Sequence, residues 1–342
     1  MLRRRTSIII LSLLALLVPA ALAQAKPEIG IQDEDVFVDG KSTLSPAQGY
    51  QRLAELGVHR MRLLVSSDSV ERAGGGFDFS KYDRAVNQAA QNGVRVQFTL
   101  VGKHPRPDIQ DFARFAAATA NHFRGRVDRY GIWNEPNYIA WLKPLNRAPA
   151  LYRRIYLAGY KAIKSNDASA KVLIGETVPY AQGRRAMAPI KFLRKMACVN
   201  NQYRRIKRCP KLKADGYAHH PYDFEKAPSR SKRGADDATI GSLRNLTRAL
   251  DKLAHSGQLK GTKKLYLTEY GYLATGRRGL SERKRASYLK QGLRLARNKN
   301  RRVKEVIQYL LVQPNDGSPF TTGIVSPNGT ELPSFAVLRA AA

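Results

Sequence analysis

Two glutamates in this sequence stand in contexts that suit carbohydrate chemistry. Glu135 follows the short apolar run 131–133 and is preceded by Asn134, and Glu269 ends a second run at 265–268. Cleavage of a glycosidic bond uses one carboxyl group to protonate the departing oxygen and another to attack or stabilise the anomeric carbon. The two segments therefore predict a pair of catalytic carboxylates. The alternative for either glutamate is a solvated surface acid.

Eight apolar, β-branched runs provide the elements that would position such a pair. Their spacing of roughly 30 to 50 residues leaves room for one helix and its loops between neighbours. Helical periodicity fills the gaps, and one face carries Tyr82, Ala85, Val86, Ala89 and Ala90. The pattern predicts an α/β fold, a single (β/α)8 barrel. A doubly wound sheet is the alternative, but the first strand is followed by no phosphate-binding glycine loop. The runs lie near 28–31, 58–65, 94–101, 129–133, 172–175, 215–219, 265–268 and 306–312.

The first 25 residues have the pattern of a secretory signal peptide. Three arginines at positions 3–5 precede an apolar stretch at 8–18, and small residues at 21, 23 and 25 suit cleavage. A membrane anchor is the alternative, although the stretch is shorter than the roughly 20 residues of a span. We therefore expect an exported, extracellular or cell-wall-associated protein whose residues 26–342 form one catalytic domain.

Cys198 and Cys209 are the two cysteines of the chain. In an oxidising compartment we expect them to form a disulfide, with two free thiols as the alternative. A zinc site would need two further nearby ligands, which the surrounding sequence does not supply. The sequence thus predicts neither a metal nor another cofactor.

The chain is strongly basic, with a formal net charge of +32. Eleven lysines and arginines and no acid fall between Arg184 and Lys213. Such a field attracts polyanions of any kind, so it favours acidic polysaccharide, wall polymer or an anionic membrane surface for an exported protein. Specific nucleic-acid binding is not expected, because few aromatic side chains are interleaved with the basic ones. The alternative is a charge that serves solubility alone.

The chain resembles the glycoside hydrolase clan of (β/α)8 barrels, most closely its family 39-like and family 5-like retaining β-glycosidases. The resemblance rests on the motifs at 77–83, 132–137 and 162–164 and extends over essentially the whole chain after the leader. In that clan the acid/base follows strand four and the nucleophile ends strand seven. The resemblance therefore implies Glu135 as general acid and then base, and Glu269 as nucleophile.

The resemblance also implies several supporting residues. Asn134 would bind the sugar 2-hydroxyl, and Arg62 would hold the nucleophile ionised, unless it is a barrel-end salt bridge or Arg60 takes that place. His220 and Tyr222 match a His-x-Tyr motif whose tyrosine hydrogen-bonds the nucleophile. Adjacent histidines also suggest a metal, but no third ligand follows at a suitable spacing.

Two further residues bear on the substrate. Trp141, just beyond the acid, could stack on a sugar ring or pack in the core. Many clan members end strand eight with a tryptophan under the cleaved sugar, whereas this chain has Gln313 in the corresponding run. This difference favours a substituted or acidic glycan. The resemblance thus implies a secreted, cofactor-free retaining β-glycosidase that acts on a polysaccharide. The alternative is a non-catalytic barrel that binds acidic polysaccharide, wall polymer or nucleic acid through its basic surface.

Overall fold

Eight parallel strands close into a barrel in the computed structural model, which describes residues 26–231 and 233–342. Each strand pairs with the next one along the chain, and β8 pairs with β1. The predicted barrel is confirmed, and the predicted signal peptide lies outside the described residues. The strands are β1 Glu28–Gln32, β2 Arg60–Ser66, β3 Arg95–Val101, β4 Val127–Ile132, β5 Lys171–Thr177, β6 Gly216–His219, β7 Leu265–Tyr270 and β8 Val303–Tyr309.

One α-helix follows each strand in the described part of the chain. The predicted helical face is buried at Tyr82, Ala85, Val86 and Ala89, whereas Ala90 is exposed. None of the described helices has the length and apolar character needed to span a membrane. The helices are α1 Pro46–Leu56, α2 Ser80–Gln91, α3 Ile109–His122, α4 Ala148–Asn166, α5 Pro189–Met196, α6 Leu243–His255, α7 Glu282–Lys299 and α8 Pro333–Arg339.

Inside the barrel, polar side chains form two charged layers. Arg60 and Arg62 are two residues apart on β2, so both point to the same side of the strand. Both are fully buried. We call the layer around Arg60, near the N-terminal ends of the strands, the lower network. The layer around Arg62, at the C-terminal ends, is the upper cluster and forms the mouth of the barrel.

The eighth strand ends three residues earlier than its apolar run predicts. Leu310 has a positive φ of 66°, which stops the strand after Tyr309. The next two amides, of Leu311 and Val312, donate to the Asp33 carboxylate at 3.0 and 2.9 Å. The apolar run therefore continues as a buried loop. Apolar residue types indicate burial, but they do not distinguish a strand from a buried loop whose amides donate to a side chain.

The long basic segment after β5 is divided by α5 between the two ends of the barrel. Arg184 and Arg185 precede α5 on the mouth side, whereas Cys198 and Cys209 follow it and lie on the opposite side. The predicted disulfide between these cysteines is confirmed. Two short strands, Leu212–Lys213 and Leu259–Lys260, pair at this lower end.

Candidate active site

The predicted nucleophile sits at the mouth, one residue before the end of β7. The Glu269 Oε1 atom accepts a hydrogen bond from Arg62 Nη1 at 2.8 Å, and its Oε2 accepts one from the Tyr222 hydroxyl at 3.2 Å. A second Arg62 nitrogen donates to Asn134 Oδ1 at 3.1 Å. Because Oδ1 accepts this bond, the amide nitrogen of Asn134 is the group that can donate to a sugar hydroxyl. The structure thus brings together four of the predicted residues.

The second carboxylate follows β4 and faces the first. Glu135 Oε1 lies 3.0 Å from His220 Nδ1. One oxygen of Glu135, one nitrogen of His220 and one oxygen of Glu269 all lie within 4.8 Å of one another. The backbone is left-handed at Trp133 and Glu135, with φ of 67° and 40°. Non-glycine residues in this region store strain, which is common where a side chain is held in a functional position.

A third carboxylate, Glu176, completes the cluster and is not among the predicted site residues. It is fully buried near the end of β5. Its Oε2 accepts hydrogen bonds from Thr268 Oγ1 at 2.5 Å and from Arg62 Nη2 at 3.4 Å, and it lies 3.0 Å from His220 Nε2. Gly131 makes room for it, since a Cβ there would overlap Glu176 Oε1. The available signal was an acid near the end of a barrel strand, the same signal that singled out Glu269.

These contacts shift the pKa values of the cluster in different directions. Burial raises the pKa of Glu135, and the charge of Glu269 adds to this effect, while His220 opposes it. Burial would also raise the pKa of Glu176, but Arg62 and His220 outweigh it, and the pKa is lowered. Burial would lower the pKa of His220, but the surrounding carboxylates raise it to about 9. The cluster therefore favours a protonated Glu135 beside a cationic His220.

The adjacent histidines have different environments. His219 faces the barrel wall, where Nδ1 lies 2.9 Å from Thr177 Oγ1 and Nε2 lies 2.5 Å from the Ala238 carbonyl oxygen. Burial lowers its pKa to about 3, so it stays neutral. His220 alone joins the cluster.

The upper cluster could present three ligand atoms to a metal, from Glu135, His220 and Glu269. Sequence spacing gave no third ligand beside the two histidines, and the fold brings two carboxylates from other strands to one of them, His220. However, both ring nitrogens of His220 already face carboxylates, and Arg62 already neutralises Glu269. A divalent cation would have to displace these partners, so the arrangement fits proton transfer better than metal binding.

The two predicted substrate residues lie farther out. Trp141 is partly exposed, and its ring lies 4.8 Å from that of His104. Gln313 lines a small cavity with Asp33, Asp35 and Lys41. The last residue of β8 is Tyr309, so Tyr309 and not Gln313 stands at the end of this strand.

An aromatic group borders the mouth on the side of β6 and β8. We call it the aromatic wall, and its members are Tyr222, Phe224, Tyr309 and Phe320. The Phe320 ring lies 5.7 Å from the Tyr309 ring and 6.3 Å from the Phe224 ring. Phe320 is 39% exposed, and among the described residues Ile206 is the other large apolar side chain that is exposed. Exposed aromatic faces beside a polar site can stack on the apolar faces of a sugar.

No protein-family model matches this sequence, and no curated protein is significantly similar to it. Solved structures match its backbone, and among them is a family 39 glycoside hydrolase from Bacteroides cellulosilyticus WH2. That comparison gives a TM-score of 0.66 and 16% identity over 93% of this chain and 64% of the other, so the chain spans less than two thirds of that protein. This is the barrel fold of the family 39 and family 5 glycoside hydrolases.

Two further structures share this fold. A GH39 β-xylosidase from Caulobacter crescentus has a TM-score of 0.63 and 18% identity, over 93% of this chain and 71% of that one. A GH5-4 broad-specificity endoglucanase from Clostridium acetobutylicum has a TM-score of 0.62 and 17% identity, over 92% and 96% of the two chains. The chain thus spans nearly all of the endoglucanase and only part of the two family 39 structures.

Proposed function

We propose that this protein is an exported glycoside hydrolase that cleaves O-glycosidic bonds in a polysaccharide with retention of configuration. One observation carries the proposal, namely that oxygens of Glu135 and Glu269 lie within 4.8 Å of each other across the mouth. Retaining enzymes hold their carboxyl groups about 5 to 5.5 Å apart, whereas inverting enzymes leave about 6.5 to 9.5 Å for a water molecule. The shared fold with family 39 and family 5 hydrolases supports the same assignment.

In the first step, a Glu269 oxygen forms a bond to the anomeric carbon while the glycosidic carbon–oxygen bond breaks. Glu135 transfers its proton to the departing oxygen and becomes a carboxylate. In the second step, this carboxylate takes a proton from water, and the water oxygen displaces Glu269 from the anomeric carbon. Arg62 and Tyr222 hold Glu269 through both steps, and Asn134 is placed for the sugar 2-hydroxyl.

The charges of the upper cluster explain how Glu135 can hold its proton before the first step. Among the groups in direct contact, Arg62 and His220 contribute two positive charges, and Glu176 and Glu269 contribute two negative charges. Burial raises the pKa of nearby Glu34 to about 7. The cluster is therefore neutral when Glu135 is protonated, and its ionisation would bury an uncompensated charge. In this mechanism Glu176 is a positioning residue, which keeps His220 cationic and oriented toward Glu135.

The substrate is the less constrained part of the proposal. The aromatic wall is suited to stacking on sugar rings, and the large positive charge favours a polymer with acidic substituents. Gln313 supports the same preference only through its place in the sequence, since its side chain lines a separate cavity. Export is supported by the leader-like N-terminal sequence and by the disulfide.

A non-catalytic polymer-binding barrel is the second candidate, and its support is the basic surface. It gives no reason for three carboxylates to be gathered around Arg62 and His220 at the mouth, because burying these charges costs free energy that binding at the basic surface does not require. We therefore retain hydrolysis as the proposed activity.

The test is to incubate the protein with a panel of activated 2-deoxy-2-fluoro glycosides and to measure intact mass, beside a Glu269→Gln variant. We expect a covalent sugar adduct on the native protein, mapped to Glu269, and none on the variant. The anomeric configuration of the product is monitored by NMR during hydrolysis. Inversion of that configuration would overturn the retaining mechanism. Retention of acidic polymers without hydrolysis of any glycan would favour the binding barrel.

A further inference from the structure

The end of the barrel opposite the mouth carries a basic surface that the proposed reaction does not use. Two loops form it, one between α5 and β6 and the other between α6 and β7. Both loops lead into the N-terminal ends of strands, so a strand length of about 20 Å separates them from the mouth. Nine exposed basic residues make up this basal surface: Arg204, Arg205, Lys207, Arg208, Lys211, Lys213, Lys260, Lys263 and Lys264.

The basal surface is not neutralised by nearby acids. Asp215, which follows the first loop, pairs with Lys164 at 2.8 Å. Asp251, on α6 before the second loop, pairs with Arg302 at 2.7 Å. Within residues 26–231 and 233–342, none of the nine basic residues forms an ion pair. The positive charge is therefore available to a partner from solution.

The first loop holds its charges in a fixed arrangement. The disulfide between Cys198 and Cys209 closes it, and Val199 pairs with Arg205 in an antiparallel bridge. The Ile206 amide donates to the Cys198 carbonyl oxygen at 3.0 Å. Because the loop is already ordered, binding of a charged partner carries a smaller entropy cost.

The second observation is a pair of lysines placed side by side. Lys213 and Lys260 are direct partners in the two short parallel strands, and both are exposed while Leu212 and Leu259 are buried. Adjacent strands are about 4.8 Å apart, and like charges directly opposite each other are destabilising. An anion bound between the two ammonium groups would relieve this repulsion.

We propose that the basal surface binds a linear acidic polysaccharide. A chain with regularly spaced charges can contact both loops and the lysine pair together. Single-stranded nucleic acid would want free aromatic rings for base stacking. Tyr203 is instead half-buried, with Arg194 and Lys252 near its ring at 5.9 and 5.2 Å. Insertion into a lipid surface requires several apolar side chains. In the described residues of these loops, Ile206 is the single large apolar side chain that is exposed.

The proposal does not require catalysis, although under the proposed function it would hold the enzyme on an acidic matrix with its mouth open. Binding is therefore measured on the full-length mature protein carrying Glu269→Gln, so that cleavage does not change the probe. The probe is a polyuronate of defined length, with neutral dextran as the control. Single-stranded DNA and anionic phospholipid vesicles are titrated in parallel.

Two variants that lose the same charge separate a defined surface from net charge. The loop variant changes Arg204, Arg205, Lys207 and Arg208 to Gln, and the matched control changes four exposed residues of α7, Arg283, Lys284, Lys290 and Arg294, to Gln. We expect the loop variant to bind polyuronate at least about tenfold more weakly and the control less than about threefold. Equal losses in both variants would overturn the proposal, as would tighter binding of DNA or vesicles than of polyuronate.

A third variant keeps the test valid if the loop variant folds poorly. Lys213→Gln combined with Lys260→Gln removes the side-by-side charges. We expect a higher Tm without polymer, because the repulsion is gone, and weaker polyuronate binding. Binding equal to that of the parent protein would overturn the proposal, and a lower Tm would contradict the repulsion from which the role of the lysine pair is argued.

Discussion

Arg60 and Arg62 stand two residues apart on one strand, are equally buried and both contact carboxylates, yet they lie in layers with different properties. Arg60 makes two hydrogen bonds to Asp128, at 2.6 and 3.0 Å, and one to Glu28 at 3.3 Å. Arg129 pairs with Glu305 in the same lower network. Every basic partner in that network is an arginine, whose charge does not change at any accessible pH.

In the upper cluster, one of the two basic residues is a histidine. Arg62 accompanies Glu269 and Glu176, but the partner of Glu135 is His220. A histidine partner can exchange a proton, so the protons of a buried pair can respond to a substrate, whereas a guanidinium partner keeps its own proton. A buried ion pair is thus suited to acid–base chemistry when both its acidic and its basic member can exchange a proton.

The largest expected effect concerns the acid itself. Glu135→Gln should lower kcat/KM by about 10³- to 10⁴-fold for substrates with an alcohol leaving group. The loss should be less than about tenfold with a dinitrophenyl leaving group, which departs without a proton. The measurement is kcat/KM across a series of leaving groups. Glu305→Gln in the lower network is the control, and it should leave the dependence on the leaving group unchanged.

Exchanging the two arginines for methionine tests the division between the layers directly. Arg60→Met should lower the free energy of unfolding by about 1 to 3 kcal/mol, because Asp128 loses its partner and the hydrogen bonds of a fully buried guanidinium are lost. Arg62→Met should lower kcat/KM at least about 100-fold in folded protein, since Glu269 loses its cationic donor and keeps only the Tyr222 hydroxyl. Urea unfolding and kinetics are measured at a temperature below the Tm of both variants. A loss of activity in Arg60→Met as large as that in Arg62→Met would contradict the comparison.

The disulfide belongs to the lower end and should affect stability alone. Changing Cys198 and Cys209 to Ser should lower the free energy of unfolding by about 2 to 3 kcal/mol. The value of kcat on a small glycoside should stay unchanged, because the loop is a strand length away from the mouth. Denaturant unfolding and steady-state kinetics of the double variant check this expectation, and a change in kcat would show that the two ends are coupled.

The smallest effect is a displacement of the pH profile. Glu176→Gln removes an anion that favours protons on the Glu135–His220 pair, so the pair should release a proton at lower pH. The alkaline limb of kcat/KM should then move down by about one pH unit. Thr268→Val keeps the charge of Glu176 and removes one hydrogen bond, so its displacement should be smaller. An alkaline limb that stays in place in Glu176→Gln would reject the positioning role.

Much of the fold could be predicted because strand and helix periodicity are local properties of the chain. All eight predicted runs are strands, although the eighth ends at Tyr309 because Leu310 takes a left-handed backbone. Glu176 was within reach of the rule that found Glu269, since both lie one residue before the end of a strand. The aromatic wall was harder to predict, because Phe320 lies in a loop and residue periodicity does not define the path of a loop.

The ambiguity between Arg60 and Arg62 could not be resolved from the sequence. Side chains two apart on a strand point to the same side, so the alternation places both inside the barrel and does not say which carboxylates each arginine contacts. The ion pairs decide it, because Arg62 contacts Glu269 and Arg60 contacts Asp128. The role that the resemblance implied for Arg62 stays a prediction until the arginine variants are measured.

The sequence by itself determined the barrel, the order of its elements and the presence of two glutamates near strand ends, since these follow from neighbouring residues. Only the tertiary structure decided which side chains share a layer. Arg62 meets Glu269 across 207 positions, and His220 meets Glu135 across 85. It also decided that the basic loop closed by the disulfide lies opposite the mouth. Such contacts depend on how strands close into a ring, and no local pattern of residue types encodes that closure.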